Sequence, residues 1–411
     1  MRRLLQRVGF GPRPGELDRA AAAGFDATLS ALLLLPLTDD GPAPPVFEPL
    51  PTGREQRRAA NELVRTQVEQ LRRWWLERMI AAERPSTERL TFFWHGVFAT
   101  SVQKVRSASM MSTQHQTLRR LGAGELRALV AAMTVDPAML VWLDGQRNQR
   151  GRPNENLARE LMELFTIGVG HYTEDDVRQA ARALTGWRVD RAAGTASFEQ
   201  RRHDGAELTV LGHTGRMGVD ELVGVLAGHP RCPRFIAERM WQRFVSDTPP
   251  SAQRLDELAG HAASAGELLH AVLASPEFRA PESVLVRQPV EWLVAAHRAL
   301  GVPLGDQAVG GLRSLGQVLF APPSVGGWPA GPAWLTTSAA RSRLAVAGSI
   351  AADADLPALR ARPQGERVHA AGELLSLDWT DRTAAALAEA AGDPRELIAL
   401  ALVSPENLVS G

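Results

Sequence analysis

The chain has 411 residues, 45% hydrophobic and 22% charged, so it can bury a sizeable core, and its length leaves room for one large domain or two to three ordinary ones. Its 46 basic and 46 acidic residues give a formal net charge of zero, which excludes whole-chain attraction to nucleic acid or an anionic membrane as a driving force. Cys232 is the only cysteine, which rules out an internal disulfide and a cysteine-based zinc site. Lys104 is the only lysine; a G+C-rich coding bias accounts for the arginine excess ahead of an arginine-driven binding function.

In chain order, the opening "MRRLLQRVGFGPRPGEL" is basic but has no apolar core followed by a cleavage site, so no signal peptide is read and a cytoplasmic location is the expectation. Residues 14 to 35 read as one or two short helices; "LSALLLLPL" within them is too short for a membrane span. Residues 38 to 53 form a proline-rich connection. A long amphipathic helix follows over 54 to 82, with Val64, Val68, Leu71, Trp75 and Met79 on one stripe. Its arginines (Arg57, Arg58, Arg65, Arg72, Arg73) are interleaved with Glu55, Glu62, Glu69 and Glu77, so pairing along a solvated face explains them better than nucleic-acid binding. Pro85-Ser86 opens "TERLTFFWHGVF", apolar nearly all round and therefore expected in the middle of the bundle. "GELRALVAAM" is helical, and Asp136-Pro137 starts another helix with Asp as N-cap.

Residues 154 to 187, "NENLARELMELFTIGVGHYTEDDVRQAARALTGW", are the densest stretch. Asn154 is a natural N-cap, and at about 100° per residue Leu157, Leu161, Leu164 and Phe165 share the core face. Asn156, Glu160 and Glu163 run along one flank, and Arg159 lies four residues from both Glu155 and Glu163. Thr173 with Asp176 resembles a capping box, and the acids 174 to 176 suit a helix N-terminus. Caps and dipoles leave Asn156, Glu160 and Glu163 unexplained. Two carboxylates one turn apart beside an apolar stripe are either held by arginines such as Arg159 and Arg182, or share a metal or acid and base roles.

Beyond Trp187 the helical period stops, and two short strands are expected around His203-Asp204-Gly205, a β-hairpin insertion near 195 to 212 with His203 and Asp204 at its tip. Helices resume at about 218 to 228, 231 to 246, 253 to 274, 286 to 300, 307 to 319 and 334 to 350, with a rigid glycine- and proline-rich loop over 321 to 334 carrying Trp328. His95, on the buried helix, needs a hydrogen-bond partner, and Glu160 or Glu163 can supply one. His171 and Tyr172 sit in the turn between two helices. There is no HExxH, GxSxG, GxxxxGK[ST] or dinucleotide fingerprint.

The stretches "RRLLQRVGFGPRPGELD", "LTFFWHGVFATS", "DPAMLVWLDG", the dense segment itself, "HPRCPRFIAERMWQRFV", "LLHAVLASPEF" and "PPSVGGWP" resemble, in order and spacing over almost the whole chain, the bacterial proteins grouped as domain of unknown function 1800. The resemblance implies a mostly helical fold, a bacterial source and no particular activity. Relatives are often exported and often encoded beside a second uncharacterised family, number 1501, whose members resemble the alkaline phosphatase and sulfatase fold; this implies an accessory role with such a partner. Relatives often carry histidine where this chain has Val97, and some where it has Phe165, so a divalent-metal site using those positions is weakened here, leaving His95, Glu160 and Glu163.

The expectation is therefore one large, mostly α-helical domain over 1 to 411 with a small β-hairpin insertion, and a cleft walled by the dense segment, the "FWH" helix and the "GGWP" loop. Two functions are open. One is an accessory, partner-binding protein using Asn156, Arg159, His171, Tyr172, Arg182, Trp187, His203, Asp204 and Trp328. The other is a hydrolase in which Glu160, Glu163 and His95 act as acid, base or metal ligands.

Overall fold

The computed structural model describes residues 1–33, 41–51 and 55–411. The described chain is mostly α-helical with three small two-stranded sheets. The helices used below are labelled in chain order: α1 (Arg2–Gly9), α2 (Arg57–Ala81), α3 (Ser86–Val97), α4 (Ala108–Leu121), α5 (Asn156–Glu160), α6 (Glu174–Ala183), α7 (Arg231–Phe244) and α8 (Pro289–Leu300). None of the described helices is long and apolar enough to cross a membrane.

Helix α3 holds the architecture together, as its all-round apolarity requires. Phe93 and Trp94 enter one hydrophobic cluster, built on α1, α5, α6 and α7. Phe92 enters a second, built on α2, α4, α8 and the C-terminal helices. The same helix buries Glu88, whose carboxylate accepts from Trp75 Nε1 at 2.9 Å, Arg78 Nε at 2.8 Å and Arg119 Nη2 at 2.7 Å. Such a charge is tolerated in a core only because every oxygen is met by a donor. The α2 stripe is buried at Val68, Leu71, Trp75 and Met79, and Arg58 and Arg73 pair with Glu62 and Glu77 four residues on. Of the proline-rich connection, residues 41–51 run irregularly along α2, with Pro42 O accepting from Trp74 Nε1 at 3.1 Å; residues 38–40, 52 and 53, like 34 and 35 of the first helical expectation, lie outside the described residues.

Several boundaries differ from the sequence reading, each for a local reason. α1 was not expected, because its arginines mask the Leu4, Leu5, Val8 face. Residues 253 to 274 are two helices, Ala252–Ala259 and Ala265–Ala274, since Ser264 caps the second through Glu267 N–H. Thr336 likewise delays the next long helix to Thr337–Asp353. The insertion is two hairpins rather than one. β1 (Trp187–Asp190) pairs with β2 (Thr195–Phe198), and β3 (Glu207–Val210) with β4 (His213–Arg216). The β3–β4 turn is Leu211-Gly212, with φ of 50° and 79°, the positive values a two-residue hairpin turn needs. His203 and Asp204 thus sit between the hairpins, not at a tip. The last sheet pairs β5 (Leu285–Val286) with β6 (Val409–Ser410), bringing residues 409–410 beside the start of α8.

Candidate functional site

The dense segment forms α5 and then changes register. Leu161–Thr166 is a π-helical turn, and Ile167 and Gly168 both donate to Met162 O at 3.0 Å. The wider turn alters the buried face: Met162 is fully buried, while Leu164 is turned partly outward, contrary to the wheel at 100° per residue. Asn154 Oδ1 accepts from Asn156 N–H at 3.0 Å, and Asn156 Nδ2 donates to Leu143 O at 3.2 Å. The capping box of Thr173 and Asp176 forms as read. Arg159 forks onto Glu174 at 2.9 and 2.8 Å and also faces Glu155 at 3.3 Å and Glu163 at 3.8 Å. Glu163 accepts from the Tyr172 hydroxyl, and burial, then this bond, pushes the phenol up to about 12. Glu160 has no hydrogen bond or ion pair among the described residues, and burial, then the Glu163 charge, raises its pKa.

Other sequence candidates gather separately. Arg182 Nε donates to Asp204 at 2.7 Å, which holds that carboxyl below its usual range. Asp204 N–H and His203 Nδ1 both reach Thr185, and the Trp187 ring lies 5.5 Å from Phe198, itself 5.3 Å from His203. This group staples the end of α6 to the link between the hairpins. His171 is exposed.

The structure does not pair His95 with Glu160 or Glu163. Its Nε2 accepts from Phe320 N–H at 3.1 Å, and its ring lies 5.0 Å from Trp75, 5.0 Å from Phe320 and 5.3 Å from Trp328. Burial depresses its pKa to about 3, so at neutral pH it is an uncharged acceptor. Its role is to fix the glycine-rich loop against α3. The loop approaches so closely that a Cβ at Gly327 (φ 85°) would lie 2.5 Å from Gly96 O, so only glycine fits there.

That docking creates a cleft of about 130 Å³. Two of its three expected walls are present, α3 (Phe92, Phe93, Val97) and the loop (Gly326, Trp328, Ala330). The third is not the dense segment but α7 (Arg239, Gln242, Arg243), with Gln288 closing the end. The dense segment meets the end of α3 in the core, where the Phe165 ring lies 5.1 Å from Phe98. A smaller adjoining cavity shares Gln242, Arg243, Gln288 and Ala330 and reaches Arg7, Arg89, Arg287, Glu291 and Asp247. Together the two are faced by five arginines and two carboxylates.

Burial pushes Arg7 and Arg89 down to about 9 and Arg287 to about 10. Most of these cations are committed to protein acceptors. Arg7 donates to Val245 O at 2.6 Å, Ser283 Oγ at 2.7 Å and Ser410 O at 2.7 Å, and Arg287 to Asn407 Oδ1 at 2.8 Å. Arg89 pairs with Glu291 and donates to Arg7 O at 2.7 Å, while Arg243 reaches Glu291 at 2.7 Å. Burial works against ionising Glu291, but Arg243 and Arg89 outweigh it and hold its carboxyl below the usual range.

Arg239 differs. It carries no hydrogen bond or ion pair among the described residues, only a ring contact 5.7 Å from Phe235, and burial alone lowers its pKa. Trp328 Nε1 is buried without a partner. Gln288 Oε1 accepts from Arg243 at 3.1 Å and Gln317 at 2.7 Å, so its amide N–H₂ points the other way. Arg239 and Trp328 thus bring spare donors to the residues around this cleft, which suits an anion. Sequence reading missed these arginines. The available signal was Arg239 and Arg243 four apart on one helix face, a like-charge pair that costs stability unless something answers it. Among the described residues no group of three or more His, Cys, Asp or Glu side chains is placed to hold a metal ion. Val97 lies on the cleft wall, and Phe165 is buried against Phe98.

Fold and cleft define a multi-helical protein with small hairpin insertions and an arginine-faced, aromatic-walled pocket. The chain belongs to the family described as Protein of unknown function (DUF1800), whose sequence model matches residues 3–409. Comparison with curated proteins and with solved structures gave no match.

Proposed function

We propose that this protein is an accessory binding protein, and that the cleft between α3, α7 and the Gly326–Ala330 loop receives an anionic group of its ligand or partner. One observation carries the reading: the cleft is lined by Arg239, which has no acceptor among the described residues, beside Gln288 and Trp328, whose Nε1–H also lacks one. Arg239 is half-buried, and a partly desolvated cation without a counter-ion gains from a bound anion. A partner from the 1501 family is one candidate bearer of such a group. The test is thermal stability of the purified chain against phosphate, sulfate, acetate and benzoate at constant ionic strength. Binding at 100 times Kd adds roughly 2.7 kcal/mol to stability. Saturable stabilisation that disappears in Arg239→Gln is expected; no stabilisation by any anion refutes the site.

A second reading, a hydrolase, draws on Glu160. Its pKa is raised by burial and by Glu163, which suits a protonated acid beside a carboxylate base. Elemental analysis together with generic esterase and phosphatase assays tests it. Stoichiometric divalent metal or turnover, lost in Glu160→Ala and Glu163→Ala with the fold intact, would favour the hydrolase.

A further inference from the structure

Resting on the reading of the cleft as an anion site, we infer that its ligand is a monocarboxylate carried on a single aromatic ring or a similarly small branched hydrocarbon. Charge supplies the first half of the argument. Arg243 and Arg89 share Glu291, Arg7 donates to protein oxygens, and Arg287 donates to Asn407. Arg239 is therefore the one uncommitted guanidinium described in the cleft. Within this cleft, whose described lining holds only Arg239 and Arg243, the one unmatched cation neutralises one negative charge; Arg7, Arg89 and Arg287 line the adjoining cavity. A dianionic phosphate would leave a second charge facing phenyl and indole walls, where uncompensated charge is heavily penalised. A planar carboxylate also matches the guanidinium fork with two parallel hydrogen bonds.

Shape supplies the second half. The walls flanking Arg239 are Phe92, Phe93, Val97 and Trp328, which offer rings and methyl groups to the body of a ligand. The cleft volume is about 130 Å³. An engineered apolar cavity of roughly 150 Å³ holds benzene, so a single ring matches the volume of this cleft. Trp328 and Gln288 line the same cleft and carry neutral N–H groups without an acceptor among the described residues, suited to a carboxylate oxygen that the guanidinium leaves partly free. The same chemistry arises from two sources, a free small acid or the C-terminal carboxylate of a polypeptide ending in an apolar residue.

The experiment is calorimetric titration of the full chain, at constant ionic strength, with benzoate, N-acetyl-phenylalaninate, phosphate and sulfate. It is repeated with Arg239→Gln, Trp328→Phe and the exposed-arginine control Arg382→Gln. One-to-one benzoate binding is expected, weakened at least about tenfold by Arg239→Gln, less by Trp328→Phe, and unchanged by Arg382→Gln. N-acetyl-phenylalaninate binding tighter than benzoate supports the polypeptide source, and the reverse order supports the free acid. Phosphate or sulfate binding with benzoate silent overturns the carboxylate assignment but leaves the anion site standing; no binding by any of them overturns both. Benzoate affinity unchanged in Arg239→Gln overturns the assignment to this cleft. Should Arg239→Gln fail to fold, Trp328→Phe carries the test, since it removes the indole N–H while keeping an aromatic ring, and unchanged affinity there contradicts the proposal.

Discussion

Protonating His95 should dismantle the cleft, and the cost can be worked out. Its pKa is about 3 in the folded chain against an ordinary 6.5, because burial among Trp75, Phe320 and Trp328 opposes the charged form. Between these values the unfolded chain binds a proton that the folded chain does not. Stability from the neutral imidazole is therefore fully present above pH 6.5 and is lost as pH falls towards 3. At 1.36 kcal/mol per unit, going from pH 7 to pH 5 removes roughly 2 kcal/mol through this residue. His115, lowered in the same direction by burial and then by Arg119, adds to the effect in wild type, so the comparison must isolate His95. The assay is urea denaturation at pH 7 and pH 5 for wild type and His95→Gln. The glutamine variant should be less stable at pH 7, having lost the ring packing and perturbed the Phe320 N–H bond. It should also lose about 2 kcal/mol less than wild type on acidification. An identical pH dependence in the two proteins would refute the neutral, loop-anchoring histidine.

Other perturbations have defined outcomes. Glu88→Gln leaves Arg78 and Arg119 buried beside a neutral amide and should cost about 3–5 kcal/mol by urea denaturation; a cost near zero would contradict the buried network. Gly327→Ala places a Cβ against Gly96 O at a positive φ, so it should cost roughly 1–3 kcal/mol and weaken anion binding, both measurable in one melting series with and without ligand. Glu160→Gln should leave stability at pH 7 unchanged or raised, because the folded state disfavours its charge; a fall in the urea midpoint would show a partner for the carboxylate. Tyr172→Phe should cost about 1 kcal/mol through the lost Glu163 bond.

The helical class, the central place of α3 and the Thr173–Asp176 cap were legible because periodicity, all-round apolarity and capping residues are local signals. Ser275 and Ser404, each followed by Pro-Glu, are local signals of the same kind, and each caps the short helix that follows. The π-turn at Leu161–Thr166 was not legible, since no residue type announces a change of hydrogen-bond register, and it misplaced Met162 and Leu164. The cleft was half legible. Trp328 and the glycines marked the loop, and apolarity marked α3. Arg7 finds its acceptor at Val245, 238 positions away, and His95 its donor at Phe320, 225 positions away. Pairings across such separations are set by topology, so the arginines of α1, α3 and α7 read as scattered surface charge until the chain is folded.

The central claim, that spare donors in this cleft await an anion, is tested most directly at Trp328 itself. With indole ¹⁵N labelling, its Nε1–H resonance is identified by its absence in Trp328→Phe and then followed while benzoate is added. A saturable downfield shift of that resonance, abolished by Arg239→Gln, is predicted. A Trp328 resonance that stays put while benzoate, phosphate and sulfate are each added to excess would contradict the account.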